Sequence, residues 1–188
     1  MIKVLNFRDE IPSGYTVINT TTSEKGWSRK LSPMLLGPVK INDKISLNVE
    51  NAWQFSKVYN EHIDESNEPT TEYFIWRDLG YSDRWAHRYP MGKGSIPKYS
   101  LLNGEKLNYI EARKKIYIPL YSKAVFNTVE FAALQRLHKM KNGKIVLQDY
   151  DAYDHRELGM TWKDVINYEN LKMGHAFVLA MLLEHFNR

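Results

Sequence analysis

The chain contains no cysteine. That single absence excludes a disulfide scaffold, a zinc site built on thiolates, an iron–sulfur cluster and a thiol nucleophile, and it fits a reducing compartment. Long hydrophobic runs are also missing. The longest, Ala176 to Leu183, is far short of the ~20 apolar residues that a bilayer-spanning helix requires, so no membrane partner is expected. The opening residues, MIKVLNFRDE, lack the apolar stretch and small-residue cleavage site of a secretory signal, so a cytoplasmic location is expected. Neither a Gly-x-Ser-x-Gly elbow nor a Gly-x-Gly-x-x-Gly fingerprint occurs, and the six histidines show no His-Glu-x-x-His spacing. Hydrolase-triad, Rossmann and zincin readings therefore have no support. With no repeat, low-complexity tract or long linker, 188 residues read as one globular domain.

Aromatic residues are plentiful: 12 Tyr, 5 Trp and 7 Phe, on a chain of net charge +4. Such side chains suit stacking on bases and suit an ordinary core equally well. Ile2–Leu5 and Tyr15–Asn19 read as strands around a Pro12-Ser13-Gly14 turn, Thr20–Arg29 as an exposed loop, and Ile45–Val49 as a short strand leading into a helix from Glu50 to about Ile63. Asn108 before Glu111 and Asn127 before Glu130 have the spacing of capping boxes, and Pro119 marks the expected end of the first of those helices. In the second, Phe131, Leu134 and Leu137 share one stripe. Lys144–Leu147 reads as a strand, and Glu169–His185 as a core helix in which Gly174 implies close approach of another element. The expected class is α+β, predominantly helical, with a few short strands.

The first helix carries the most chemistry. At 100° per residue Ala52, Phe55, Tyr59 and Ile63 form an apolar stripe, while Glu50, Trp53, Gln54 and Lys57 share the opposite face. Glu50 and Lys57 fall nearly in line, ~10 Å apart along the axis. A solvated face with one acid and one base is the plain reading of this pattern. Trp53 argues against it, because a large aromatic among polar groups is better used as the floor of a cleft for a flat ligand.

The octet Glu50-Asn51-Ala52-Trp53-Gln54-Phe55-Ser56-Lys57 resembles the Glu-His-Ala-Tyr-Gln-Ala-x-Lys signature of the NADAR superfamily, N-glycosidases associated with NAD and ADP-ribose metabolism. The likeness extends over roughly residues 30–184. Leu31-Ser32-Pro33 to Pro38-Val39 resembles that family's Leu-Ser-Asn segment and Pro, and Tyr109–Phe126 its Trp-led helix. Ile145–Asp154 is similar to its Leu-Val-Glu strand and following Asp, and Asn170–Gly174 to the Asn-x-Leu-Gly of its last helix. The chain departs from the pattern at Pro33, at Tyr109 and at Leu158-Gly159, and the passage from about 67 to 106 looks like an insertion within a single domain spanning 1–188. The overall look is also similar to small accessory proteins of T4-type bacteriophages, which would place the chain in a host cytoplasm.

The inserted passage interleaves Trp76, Tyr81, Trp85, Tyr89 and Tyr99 with Arg77, Arg84, Arg88, Lys93 and Lys98, against only Asp78 and Asp83. Two arrangements fit this composition: a stacking and phosphate-binding surface for nucleic acid or an adenine pyrophosphate, or a surface helix and loop with cations laid over packed rings. The acidic run Asp149, Asp151 and Asp154 lacks the Gly and final Glu of an EF-hand loop, leaving at most a magnesium held by one or two carboxylates.

The resemblance implies an N-glycosidase that removes ADP-ribose from a modified nucleobase, guanine in DNA, without a cofactor, and the phage likeness suggests a counter-defence activity. Glu50 would stabilise charge or transfer a proton, Lys57 would attack as a neutral amine or hold a phosphate, and Asp154 would be a second acid. Trp53, Gln54, Tyr109 and Asn170 would contact substrate, with Arg84, Arg88 and Lys93 gripping phosphate. The alternatives are a non-enzymatic nucleic-acid or host-factor binding module on the same fold, and a glycosidase for a free nucleotide or riboflavin-type metabolite.

Overall fold

The computed structural model describes residues 1–185. In chain order the strands are β1 (Lys3–Leu5), β2 (Thr16–Asn19), β3 (Val39–Ile41), β4 (Lys44–Ser46), β5 (Lys57–Val58), β6 (Tyr99–Leu102), β7 (Glu105–Leu107) and β8 (Ile145–Gln148). The α-helices are α1 (Val49–Gln54), α2 (Thr71–Ser82), α3 (Tyr109–Ala112), α4 (Ile118–Phe126), α5 (Val129–Met140), α6 (Trp162–Asn167) and α7 (His175–His185). Helix occupies 39% and strand 15% of the chain, so helices and small sheets coexist with a helical bias. The chain divides into two compact units, one made of Met1–Ser32 with the chain from Tyr121 onward, the other Pro33–Leu120.

In the first unit β8 runs between β1 and β2 as the centre of an all-parallel sheet, with Val146 level with Lys3 on one side and Val17 on the other. Ile145, Val146 and Leu147 are all fully buried, the unbroken apolar run of a strand covered on both faces. Helix α7 packs on β1 and β8, and seven of its residues from His175 to Leu183 are buried. The expected helix from Glu169 begins only at His175. Before it the backbone is turned away from the helix, with Gly174 N donating to Asp151 O at 3.0 Å, and a Cβ at Gly174 would lie 2.1 Å from Asp149 Oδ2. Close approach of another element at Gly174 is thus present, at the entrance of α7 rather than inside it.

Asp149 and His175 form the polar knot of this unit. His175 Nδ1 lies 2.9 Å from Asp149 Oδ2 and Nε2 lies 2.8 Å from Thr20 O. Both partners are acceptors, so both ring nitrogens donate and the imidazole is the charged form. Burial pushes the Asp149 carboxyl up, but the His175 charge and hydrogen bond, with the N–H groups of Ala176 and Tyr150, outweigh it and hold it down at about 2. The same knot narrows the expectation of an exposed loop after β2, which holds for Ser23, Lys25, Gly26, Trp27 and Arg29 but not for Thr20, Thr21 and Ser28. Thr20 and Thr21 are buried, Thr20 Oγ1 donates to Gln148 O at 2.9 Å, and Ser28 Oγ to Asn19 O at 2.7 Å, within a 3-10 turn over Trp27–Leu31.

The second unit holds the hairpin β3–β4 and the antiparallel sheet β5–β6–β7. Asn42-Asp43 and Asn103-Gly104 turn their hairpins with positive φ at both positions, the geometry that matches strand twist. The expected helix to Ile63 is overturned. Helix α1 stops at Gln54, where Ser56 Oγ donates to Trp53 O at 2.8 Å, and Lys57 and Val58 pair with Ser100 and Tyr99 as a strand. Helical periodicity through residue 63 lost to this long-range ladder. The strand expected over Ile45–Val49 ends at Ser46, because Asn48 is the N-cap of α1 and its side chain accepts from Asn51 N. Helix α2, which no start signal announced, buries Tyr73 and Tyr81, and its Gly80 allows Phe55 to approach where a Cβ would be 2.1 Å from the ring.

Two helix boundaries also differ from expectation. Asn108 and Glu111 do form a capping box, but the helix passes Pro119, because a π-helical stretch over Arg113–Tyr117 lies just before it and widens the backbone where a turn lacks its N–H donor. Helix α5 is capped by Thr128, whose Oγ1 accepts from Phe131 N at 3.1 Å, and not by Asn127.

Gly174→Leu is expected to destabilise the fold by at least the ~1–3 kcal/mol of overpacking, read as a lower urea midpoint. Replacing Asp149 by Asn tests the knot through pH. A carboxyl whose folded value is depressed stabilises the fold above its unfolded value and loses that contribution as pH falls through the folded one. The gap between wild type and Asp149→Asn, roughly 2 kcal/mol, should be full at pH 5–7 and close below about pH 4 toward about 2. A gap independent of pH would remove the ion pair from the account.

Candidate active site

All six residues of α1 are buried, although Glu50, Asn51 and Gln54 are polar. Helix α1 is held from its first turn: Val49 N donates to Leu36 O at 2.8 Å and Glu50 N to Pro33 O at 3.0 Å. Its side chains therefore meet partners rather than water. Gln54 Nε2 donates to Glu50 Oε1 at 2.8 Å, and Gln54 Oε1 accepts from Lys57 Nζ at 2.6 Å. The Lys57 ammonium sits 4.7 Å from the centre of the Trp53 ring. Glu50 and Lys57, expected in line along one helix, are instead joined by Gln54 across the junction of α1 and β5.

Donation to an amide oxygen and the nearby indole face both suit an ammonium at this position. Trp53 lies 5.3 Å from Tyr117 and 6.4 Å from Tyr109, centre to centre, and the Arg113 guanidinium lies 4.6 Å over the Tyr109 ring. Tyr109 is partly exposed whereas Trp53 is buried. A carboxylate, an amide, an ammonium and a set of aromatic rings thus converge within one unit. Such a set can stabilise positive charge at one atom, hold an anionic or hydroxyl oxygen at another and sandwich a flat group.

The other expected site residues distribute as follows. Asp154 belongs to the first unit, where its carboxylate accepts from Lys3 Nζ at 2.5 Å and from Arg156 N at 3.1 Å. Burial pushes its carboxyl up, and the Lys3 hydrogen bond and charge bring it net below the ordinary range. Asn170 is exposed in a turn of the same unit. Asp149 faces His175 and Asp154 faces Lys3, so two of the run's three carboxylates meet cations, and among the described residues no group of three His, Asp or Glu side chains is placed to hold a metal ion.

The inserted passage splits between its two expected arrangements. Trp76, Tyr81 and Tyr99 are core: Tyr99 joins Val58, Tyr73 and Leu101 in a cluster against which Trp76 packs, and Trp76 lies 4.5 Å from both Phe55 and His62. Trp85 and Tyr89 face outward, with the Arg84 guanidinium 5.3 Å over the first ring and that of Arg88 5.5 Å over the second, and Lys93 is exposed beyond them.

Sequence reasoning passed over Asn51 and the Arg113–Tyr117 surroundings of Trp53. Asn51 is fully buried; its Nδ2 donates to Asp83 O at 3.0 Å and Trp85 O at 2.9 Å, and its Oδ1 accepts from His87 N at 2.8 Å. The available signal was a polar residue next to Ala52 on the inward side of α1.

The profile of a family described as a family of unknown function (DUF6939) matches residues 2–160, and the chain belongs to that family. No curated protein and no solved structure matches it. Among the described residues no helix is long and apolar enough to cross a membrane.

Gln54→Leu removes the donor to Glu50 and the acceptor for Lys57 together. It should lower stability by ~1–3 kcal/mol, the cost of leaving a buried carboxylate short of a donor, measured by urea unfolding. Glu50→Gln, which retains an acceptor oxygen for Gln54, should lower it less, and the opposite order would disprove the bridge.

Proposed function

We propose that the chain is an N-glycosidase acting on an N-linked ribose, most directly one that releases ADP-ribose from a modified nucleobase, guanine in DNA. The observation that carries this reading is the Glu50–Gln54–Lys57 bridge, with its carboxylate buried and its amine 4.7 Å from the centre of the Trp53 ring, together with the likeness of that octet to the NADAR signature. In the reaction the bond between anomeric carbon and base nitrogen breaks, and the electron pair leaves with the base. Positive charge then grows at the anomeric carbon and ring oxygen, where a fixed carboxylate in a water-poor site has its greatest effect. Glu50 is that carboxylate, oriented by Gln54. Water adds to the carbon, and the proton it gives up passes by way of Glu50 to the departing base nitrogen, so that Glu50 ends as the carboxylate it began as.

Lys57 acts as a clamp on a phosphate or hydroxyl oxygen, a role that suits an amine donating to an amide oxygen beside an indole face. Trp53 and Tyr109 supply flat surfaces for the base, and Arg84, Arg88 and Lys93 the charge for phosphates. Asp154, engaged by Lys3, has no step in this scheme. A second reading, a nucleic-acid binding module without turnover, is favoured by the outward-facing Trp85 and Tyr89 alone.

Incubation with ADP-ribosylated DNA, followed by assay of free ADP-ribose, separates the two readings, with unmodified DNA and NAD as comparison substrates. Wild type is expected to turn over, and Glu50→Gln to lose roughly 100-fold or more. Borohydride added during turnover should leave no adduct on Lys57. Trapped ADP-ribose at Lys57 would reverse its assignment, and near-wild-type turnover by Glu50→Gln would remove the catalytic one.

A further inference from the structure

The segment between α2 and β6, residues 83–98, contains no helix or strand, yet its two ends are moored on the elements that carry Glu50 and Lys57. At its start Asn51 of α1 makes its three hydrogen bonds to Asp83 O, Trp85 O and His87 N. At its end Lys98 N donates to Val58 O of β5 at 2.8 Å, next in sequence to Lys57. Within the first mooring Asp83 Oδ1 accepts from Trp85 N at 2.9 Å and Asp83 Oδ2 from His87 Nε2 at 2.7 Å, so the one acid of the loop is turned onto the loop itself. Further along, Gly92 N donates to Tyr89 O at 3.0 Å and Ser95 Oγ to Met91 O at 2.5 Å, which folds the tip back on itself. The outward side chains are aromatic and basic: Trp85 at 68% and Tyr89 at 42% exposure, the exposed Arg84 and the half-buried Arg88 over their rings, and the exposed Lys93 and Lys98 beside them in sequence.

An indole two-thirds in water, covered on one face by a guanidinium, has no packing role. With a run of cations it has the chemistry of a stacking platform for bases and a track for phosphates. We propose that residues 83–98 form a clamp for single-stranded DNA, and that Asn51 is the positioning residue that locks this clamp to the helix bearing Glu50. The placement of the strand rests on the reading of Glu50 as the reacting carboxylate; the clamp itself does not. Asn51 touches no reacting atom. It fixes where the loop begins relative to Glu50, one residue away on α1, and so sets which nucleotide of a bound strand is offered to the site.

The test uses the full chain and a fluorescein-labelled oligo(dT) strand in anisotropy titrations at fixed salt, with a urea midpoint for every variant. Trp85→Ala, at an exposed position, should fold as wild type and bind at least about fivefold more weakly, the loss expected for one stacked base. Asn51→Asp keeps an acceptor for His87 N and loses both donors to the loop, and should weaken the strand by a similar factor. On an ADP-ribosylated oligonucleotide Asn51→Asp should raise KM more than it lowers kcat, a split that general damage to the fold would not produce. Wild-type affinity in both Trp85→Ala and the Trp85→Ala/Tyr89→Ala double variant overturns the clamp whatever Asn51→Asp does. Strand binding that weakens as stated in a protein releasing no ADP-ribose supports the clamp and removes only the glycosidase reading.

Discussion

The second unit depends on the complete burial of a six-residue helix that is half polar. Burying Glu50, Asn51 and Gln54 costs desolvation unless each side chain finds partners, and the second unit is arranged around supplying them. Gln54 spends its two ends on Glu50 and Lys57, Asn51 spends its amide on the loop after α2, and Asn48 caps the helix from outside. The apolar residues of the same helix do the complementary work: Ala52 is fully buried, and Phe55 just beyond it fills the gap left by Gly80 of α2. Stability and chemistry are drawn from one element, so the site is held by the packing that holds the unit.

The first unit solves a similar problem with charge. A buried imidazolium and carboxylate are tolerable together because every acceptor and donor between Asp149, His175 and Thr20 is used. Gly174 is required there for space: its missing side chain is the volume that Asp149 occupies. The knot also gives the otherwise apolar α7 a fixed starting point against the ends of β2 and β8.

Elements set by local chemistry were legible in the sequence. The strand cores of β1, β2 and β8, the Asn108–Glu111 capping box and the tight space at Gly174 all follow from residue type and spacing. What was not legible depended on partners distant in sequence. Lys57 and Val58 have helical periodicity behind them, and only their pairing with Ser100 and Tyr99 makes them a strand. The mixed aromatics between residues 76 and 99 could be sorted into core and surface only by the fold, which turns Trp76, Tyr81 and Tyr99 inward and Trp85 and Tyr89 outward. Glu50, Trp53, Gln54 and Lys57, expected along one helix face, do lie near one another, but through a Gln54 bridge across a helix–strand junction. Asn51 escaped notice because its role depends on carbonyls more than thirty residues away.

The glycosidase reading requires the surroundings of Trp53 to accept a ribosyl phosphate. Calorimetric titration of ADP-ribose into the wild-type protein and into Trp53→Ala tests it most directly, independent of any turnover. The account predicts saturable one-to-one binding to wild type that is lost in a Trp53→Ala protein still folded by its urea midpoint. Absence of binding to wild type, or equal binding to both proteins, would contradict it.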